Sequence, residues 1–234
     1  MNNTENQKYY AAYEQRYRAV HAQGLSWSSD RPTPIVLDVI RRYAIRPDQA
    51  LLELGCGEGR DAKAVLDAGF DLTATDISCE AVSFCRRSMP AYSDCFSVLD
   101  CLSDRLDRQF DFIYAVAVVH MLVPDEDRRG FYRFIRDHLT EDGLALICAM
   151  GDGERETQTD IREAFALRER AHAAAGRVMV AATSCRMVSF PSFDRERSES
   201  GLATVERGLT AAPPEFDSLM YAVARRDSNY HSQR

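Results

Sequence analysis

The sequence predicts an α/β fold: a Rossmann-like, seven-stranded, mostly parallel sheet with helices on both faces and a C-terminal antiparallel hairpin. Three observations carry this prediction. From position 50 onward, short apolar runs alternate with amphipathic helical stretches, the pattern of a parallel sheet covered on both sides. The cluster "GCGEG" (55–59) falls between the first apolar run and the first of these helices. The chain then closes on two strand-like runs, "ATVERGL" and "LMYAVARR", joined through "TAAPPEFDS", which read as a hairpin.

Taken in order, residues 5–22 read as a tyrosine- and arginine-rich helix, followed by the loop "GLSWSSDRPTP" and a helix at 34–44. "ALLELG" (50–55) is a short apolar strand, and residues 58–68 place Ala62, Val65 and Leu66 at helical spacing. "FDLTATD" (70–76) alternates as a strand does, and "ISCEAVSFCRRS" is a helix with Ser78 as its N-cap. "CFSVLD" (95–100), "FDFIYAVAVV" (110–119) and "LALICAM" (144–150) are further strands. Between the last two, Phe131, Phe134, Ile135, His138 and Leu139 mark a helix closed by "TEDG". After position 150 come the polar stretch "GDGERETQTD" and a helix near 160–174.

The chain reads as one domain over 1–234: an N-terminal helix and lid segment (1–34), a cofactor-binding core (35–150), a substrate-side insert (151–190), and a C-terminal helix and hairpin (191–234). A net charge of −7 argues against nucleic acid or an anionic membrane as partner. The seven cysteines are an odd number with no CxxC pair and no His-rich cluster, so neither a disulfide framework nor a metal site is expected. The start "MNNTENQKYY" has no apolar core like that of a signal peptide. Reduced thiols and a cytoplasmic location are the expectation.

A glycine-rich turn between strand and helix lets the backbone approach a ligand and aims helix N-terminal amides at it. Asp76 then ends the next strand, where a carboxylate can accept both hydroxyls of a ribose. The pair implies a nucleoside-containing cofactor; the plain alternative is a tight turn beside an exposed aspartate. Dinucleotide folds use G-x-G-x-x-G, but here Arg60 occupies the place of the third glycine, which disfavours a nicotinamide-dependent oxidoreductase.

The stretch "ELGCGEG", with Glu53, Gly55, Gly57 and Gly59, resembles the first motif of class I S-adenosylmethionine (SAM)-dependent methyltransferases, E/D-x-G-x-G-x-G. "GFDLTATDIS" resembles their second strand, "FSVLDCL" their third, "FDFIYAVAVVHML" their fourth, and "LTEDGLALI" their turn into the fifth. The resemblance covers residues 35–150 and, loosely, the terminal hairpin. It implies SAM as cofactor, held by Glu53, Gly55, Cys56, Gly57, Gly59, Asp76, Ile77, Asp100, Cys101, Ala115 and Trp27. In it Asp76 is the ribose ligand and Asp100 meets the adenine amino group. The segment "YEQRYRAVHAQGLSWSSDRPTP", with Tyr13, Arg16, Tyr17, Trp27, Pro32 and Pro34, resembles the small-molecule branch around thiopurine methyltransferase and the tellurite-resistance methyltransferases. A small-molecule methyl acceptor follows as the expected partner.

Methyl transfer from a sulfonium is an in-line displacement that mainly needs donor and acceptor to be placed. His120, after the fourth strand, is either a general base or a structural histidine beneath the cofactor. Tyr17, Trp27, Asp152, Arg155 and Arg186 are candidate acceptor-side residues; the charges of the insert read equally well as a solvated face. Trp27 lies in a loop of small and turn-forming residues, so it is either part of a lid over the site or a ring packed permanently on the sheet's helices. A catalytically silent SAM-binding sensor or partner subunit is the alternative from another class.

Overall fold

The computed structural model describes residues 8–213 and 217–230. The start of the expected first helix (5–7), the middle of the hairpin turn (214–216) and the chain end (231–234) lie outside the described residues. The N-terminal segment forms a short 3-10 turn, Tyr9–Ala11, and then α1, Ala12–His21. Next come α2 (Pro34–Arg42), β1 (Ala50–Leu54), α3 (Arg60–Asp67), β2 (Asp71–Asp76) and α4 (Cys79–Ser88). β3 (Phe96–Val98), β4 (Phe110–Val116), α5 (Asp125–His138) and β5 (Leu139–Met150) complete the central core. Ser78 caps α4 as expected, its side chain accepting from the Ala81 amide.

The insert holds β6 (Thr157–Gln158), β7 (Leu167–His172), β8 (Gly176–Ala181) and β9 (Arg186–Met187). α6 (Phe190–Glu199), β10 (Leu202–Thr210) and β11 (Leu219–Arg226) follow. The seven-stranded sheet has the order β10-β11-β5-β4-β1-β2-β3. β11 runs antiparallel to both its neighbours, while β1, β2, β3, β4 and β5 pair in parallel.

Strand alternation sorts the core into two layers. Leu52, Leu54, Ile113, Ala115 and Ile147 face Phe131, Phe134 and Ile135 of α5 and Phe193 of α6. Leu51, Phe112, Tyr114 and Val116 face Val36, Val39 and Ile40 of α2, Ala62 and Val65 of α3 and Val82 of α4. Burial on both faces explains why these strands read as near-continuous apolar runs.

Two expectations are corrected. "TEDG" does not close a helix as a turn: β5 already begins at Leu139, which pairs with Phe110, and Thr140 Oγ1 donates to Asp111. The register shifts between Phe110 and Phe112, and a Cβ at Gly143 would stand 3.0 Å from the Phe110 carbonyl, so the two strands run close together at this irregularity. The helix expected near 160–174 is instead a 3-10 turn, Ile161–Glu163, followed by the β7–β8 hairpin. Leu167, Arg168, Glu169 and Ala171 are helix formers. Burial of Val178 and Val180 against Val20 of α1 overrides them. Among the described residues no helix is long and apolar enough to cross a membrane.

Candidate active site

A cavity lies at the carboxyl ends of β1, β2, β3 and β4, where strand order reverses between β1 and β4. That is where ligands of open α/β sheets bind. The turn after β1 is bent so sharply that Gly55, Gly57 and Gly59 all have positive φ, of 71°, 54° and 81°. A Cβ at Gly57 would come within 2.7 Å of the Tyr17 hydroxyl, inside the cavity wall. At Gly55 it would meet Val118 Cγ2 at 2.4 Å, and at Gly59 it would meet Met89 Cε at 2.5 Å. The first two glycines thus border the cavity, while Gly59 lets the turn settle on α4 and its C-terminal flank.

Asp76 faces this turn from the end of β2. Its Oδ2 accepts from Gly57 N at 2.8 Å and its Oδ1 from Ser78 N at 2.8 Å. Burial raises its carboxyl to about 6 despite these two amides. Glu53 lies one strand away, and Tyr114, its register partner on β4, donates to it at 3.0 Å. Burial and then the charge of Asp61 push the Glu53 carboxyl well above the usual range. Asp100, after β3, is bound by Lys8 Nζ at 2.5 Å, by Tyr10 Oη at 3.1 Å and by the Leu102 amide at 2.9 Å. Burial opposes its ionisation, but Lys8 and the amide outweigh burial and hold it below the ordinary carboxylate range.

The segment 8–33 is strapped across this edge of the sheet. Tyr10, Tyr13, Tyr17, Trp27 and Ser28 line the cavity from that side. Glu14 accepts from Ser78 Oγ at 2.6 Å and from Glu80 N at 3.0 Å, pinning α1 to the start of α4. The Arg16 guanidinium sits 4.7 Å from the Tyr13 ring centre and 4.5 Å from that of Trp27. It donates to the Ala181 and Ala182 carbonyls and to Thr183 Oγ1, which ties α1 to the insert. Trp27 packs with Val20, Leu25, Val178 and Val180. Its ring therefore rests on the insert hairpin rather than on the helices of the sheet.

The methyltransferase-domain family model matches residues 52–145, the stretch that supplies the turn, Asp76 and Asp100. Over these residues the chain is similar to that domain, and its sheet and helices have the Rossmann-like methyltransferase architecture. Among solved structures, the CcbJ methyltransferase from Streptomyces caelestis is 17% identical with a TM-score of 0.70, covering 95% of this chain and 100% of that one. The glycopeptide N-methyltransferase MtfA complexed with SAM is 21% identical with a TM-score of 0.57, covering 80% and 92%. A TehB-like SAM-dependent methyltransferase from Corynebacterium glutamicum is 19% identical with a TM-score of 0.56, covering 92% and 96%. At these identities the likeness is one of fold. No curated protein matches the sequence.

The cavity gathers Glu53, Gly55, Cys56, Gly57, Asp76, Ile77, Asp100 and Cys101, together with Tyr17 and Trp27. Gly59 is not among the lining residues, for the packing reason given above. Ala115 is not either, because alternation along β4 turns it into the α5 layer, and Val116, Ala117 and Val118 line the cavity in its place. His120 is buried in the 3-10 turn Val119–Met121, whose flanking Val118, Met121 and Leu122 reach the cavity while His120 does not. Burial, and then the charge of Arg128, lower its imidazole to about 3.

Asp152 and Arg155 pair with each other at 2.6 Å in a surface turn away from the cavity. Arg186 donates to the Val123 carbonyl at 2.7 Å and to Asp125 at 2.6 Å, closing the insert onto α5. None of these three lines the cavity. Residues that the sequence reading missed are Tyr10, Tyr13, Ser28, Arg60, Asp61, Met121 and Leu122. The spacing of Tyr10, Tyr13 and Tyr17, one face of a helix, was the available signal.

Proposed function

We propose that the protein transfers a methyl group from SAM to a small-molecule acceptor. The observation that carries this reading is the meeting of the Gly57 backbone with the Asp76 carboxylate at the switch point of the sheet. The residues fit the cofactor: a turn without side chains for the donor's approach, and a carboxylate at the end of β2 for the ribose hydroxyls. Asp100 and Leu99 would meet the adenine, and Glu53, Cys56 and Ile77, which line the same cavity, would form the remaining wall. When bound, SAM supplies an electrophilic methyl on its sulfonium. The chain's own task is placement and exclusion of water, with Tyr13, Tyr17 and Trp27 roofing the site.

His120 is assigned to structure, since it is buried off the cavity and held neutral. The solved neighbours, a glycopeptide N-methyltransferase and a protein of echinomycin biosynthesis among them, support an acceptor of natural-product type. The likeness of the N-terminal segment to the thiopurine and tellurite-resistance branch rests on Tyr13, Arg16, Tyr17, Trp27, Pro32 and Pro34. The cysteine usage supports a cytoplasmic setting.

The test is calorimetry with S-adenosylhomocysteine (SAH) and with NAD, followed by turnover of SAM to SAH over a panel of acceptors. SAH should bind and NAD should not, and Gly57→Arg should abolish binding by filling the cofactor's space. Tight NAD binding without SAH binding sinks the assignment. A second reading, a SAM-binding sensor or partner subunit, is favoured by one observation: among the described residues no histidine lines the cavity. SAH binding with no turnover on any acceptor would select it.

A further inference from the structure

Glu58 stands between Gly57 and Gly59 in the cofactor turn, yet its side chain does not line the cavity. It is buried, and one short stretch of the strap, from His21 to Ser28, comes to meet it. Oε1 accepts from Trp27 N at 2.7 Å, and Oε2 accepts from Ser28 N at 2.7 Å and from Ser28 Oγ at 2.6 Å. His21 Nε2 lies 2.8 Å from Oε1, and its Nδ1 lies 2.8 Å from Glu80 Oε1 on α4. The His21 ring is fixed by stacking on Phe84 at 4.5 Å. Hydrogen bonds to an ionised, buried carboxylate are shorter and stronger than neutral ones.

Trp27 and Ser28 line the cavity from above, and Gly57 lines it from below. Glu58 is the covalent neighbour of the lower wall and the hydrogen-bond anchor of the upper one. We propose that Glu58 is a positioning residue: it latches the Trp27–Ser28 corner of the strap to the cofactor turn, and the latch sets how quickly the nucleoside product leaves. This rests on the SAM reading of the cavity. The strap keeps other anchors, with Thr33 N and Oγ1 donating to Asp61 at 2.5 and 3.0 Å and α1 held by Glu14. Loss of Glu58 should therefore free the corner without releasing the whole segment.

The test uses the full chain, SAH as probe, and the emission of Trp27, the only tryptophan. In Glu58→Ala the Trp27 emission should move to the red without ligand, and SAH should dissociate about tenfold faster or more, the change expected when one charge-assisted hydrogen bond's worth is lost. Glu58→Gln, which keeps one acceptor oxygen, should fall between Ala and wild type. Should Glu58→Ala not fold, Ser28→Ala removes the Oγ donor alone and should give a smaller acceleration in the same direction. Wild-type emission and wild-type SAH dissociation in a folded variant overturn the latch and leave the methyltransferase reading standing. Failure of the wild-type chain to bind SAH overturns both.

Discussion

At Asp76, burial and backbone hydrogen bonds pull the carboxyl in opposite directions, and burial wins, leaving it at about 6. In the proposed function ribose hydroxyls donate to the ionised form, so bound cofactor should favour the carboxylate and lower that value. Below about pH 6 the empty site must lose a proton to bind. SAH affinity should thus be flat above that pH and fall by up to about tenfold per unit below it. Asp76→Asn should bind more weakly at neutral pH and lose this dependence; calorimetry across the range reads both. At His120 the expectation is the reverse of a catalytic base. Its burial and depressed value mean that His120→Ala should cost about 1 to 3 kcal/mol of stability, with turnover per folded molecule and its pH profile unchanged. Thermal melts and turnover on the same samples check it. A loss of about a hundredfold or more in turnover with stability intact would return His120 to the chemistry.

Among the elements, the β7–β8 hairpin has the least predictable form and a definite structural task. Its outer positions are exposed, with Leu167 at 66% and Met179 at 53%, while Val178 and Val180 are buried against α1. The hairpin thus supports the strap from outside, as Glu58 and Glu14 hold it from the sheet side. Val180→Asp places a charge where Val20 and Trp27 now pack, a change that proteins meet by opening locally. The expected result is protease cutting within 160–185 and within 9–34, while circular dichroism of the central sheet stays native. Cutting that spreads at once through β1 and β4 would show that the strap and insert do not open separately from the core.

For the whole molecule, the five parallel strands with their two helix layers form the frame, and the site is an edge feature built where that frame reverses direction. A ligand that binds there and not to the unfolded chain must raise the melting temperature. SAH at a hundred times its dissociation constant should add about 2.7 kcal/mol, or roughly 5 to 10 °C for a chain of this size, and NAD should add nothing. Differential scanning calorimetry reads both, and an equal shift with NAD would contradict the cofactor assignment.

The sequence by itself determined the sheet and the cofactor turn, because both are written in short-range chemistry. Apolar runs from Leu51 to Leu54 and from Phe112 to Val116 can be satisfied only by burial on two faces. Gly57 at positive φ and Asp76 at the end of the next strand are marked by their own type and place, and they meet in a hydrogen bond. Ser78 likewise announced the start of α4. Other features are set by partners far along the chain and emerge only once it has folded. "LRERAHAAAGRVMVA" has local helix propensity, and packing on α1 made it a hairpin. Ala115 and His120 lie beside cavity residues in sequence, but strand parity and a 3-10 turn carry them into the core. Asp152, Arg155 and Arg186 meet ion-pair partners that their neighbourhood in the sequence does not single out, Asp152 with Arg155 and Arg186 with Asp125. Glu58 gave no signal at all, because what a carboxylate in a turn can do depends on which distant amides arrive to meet it.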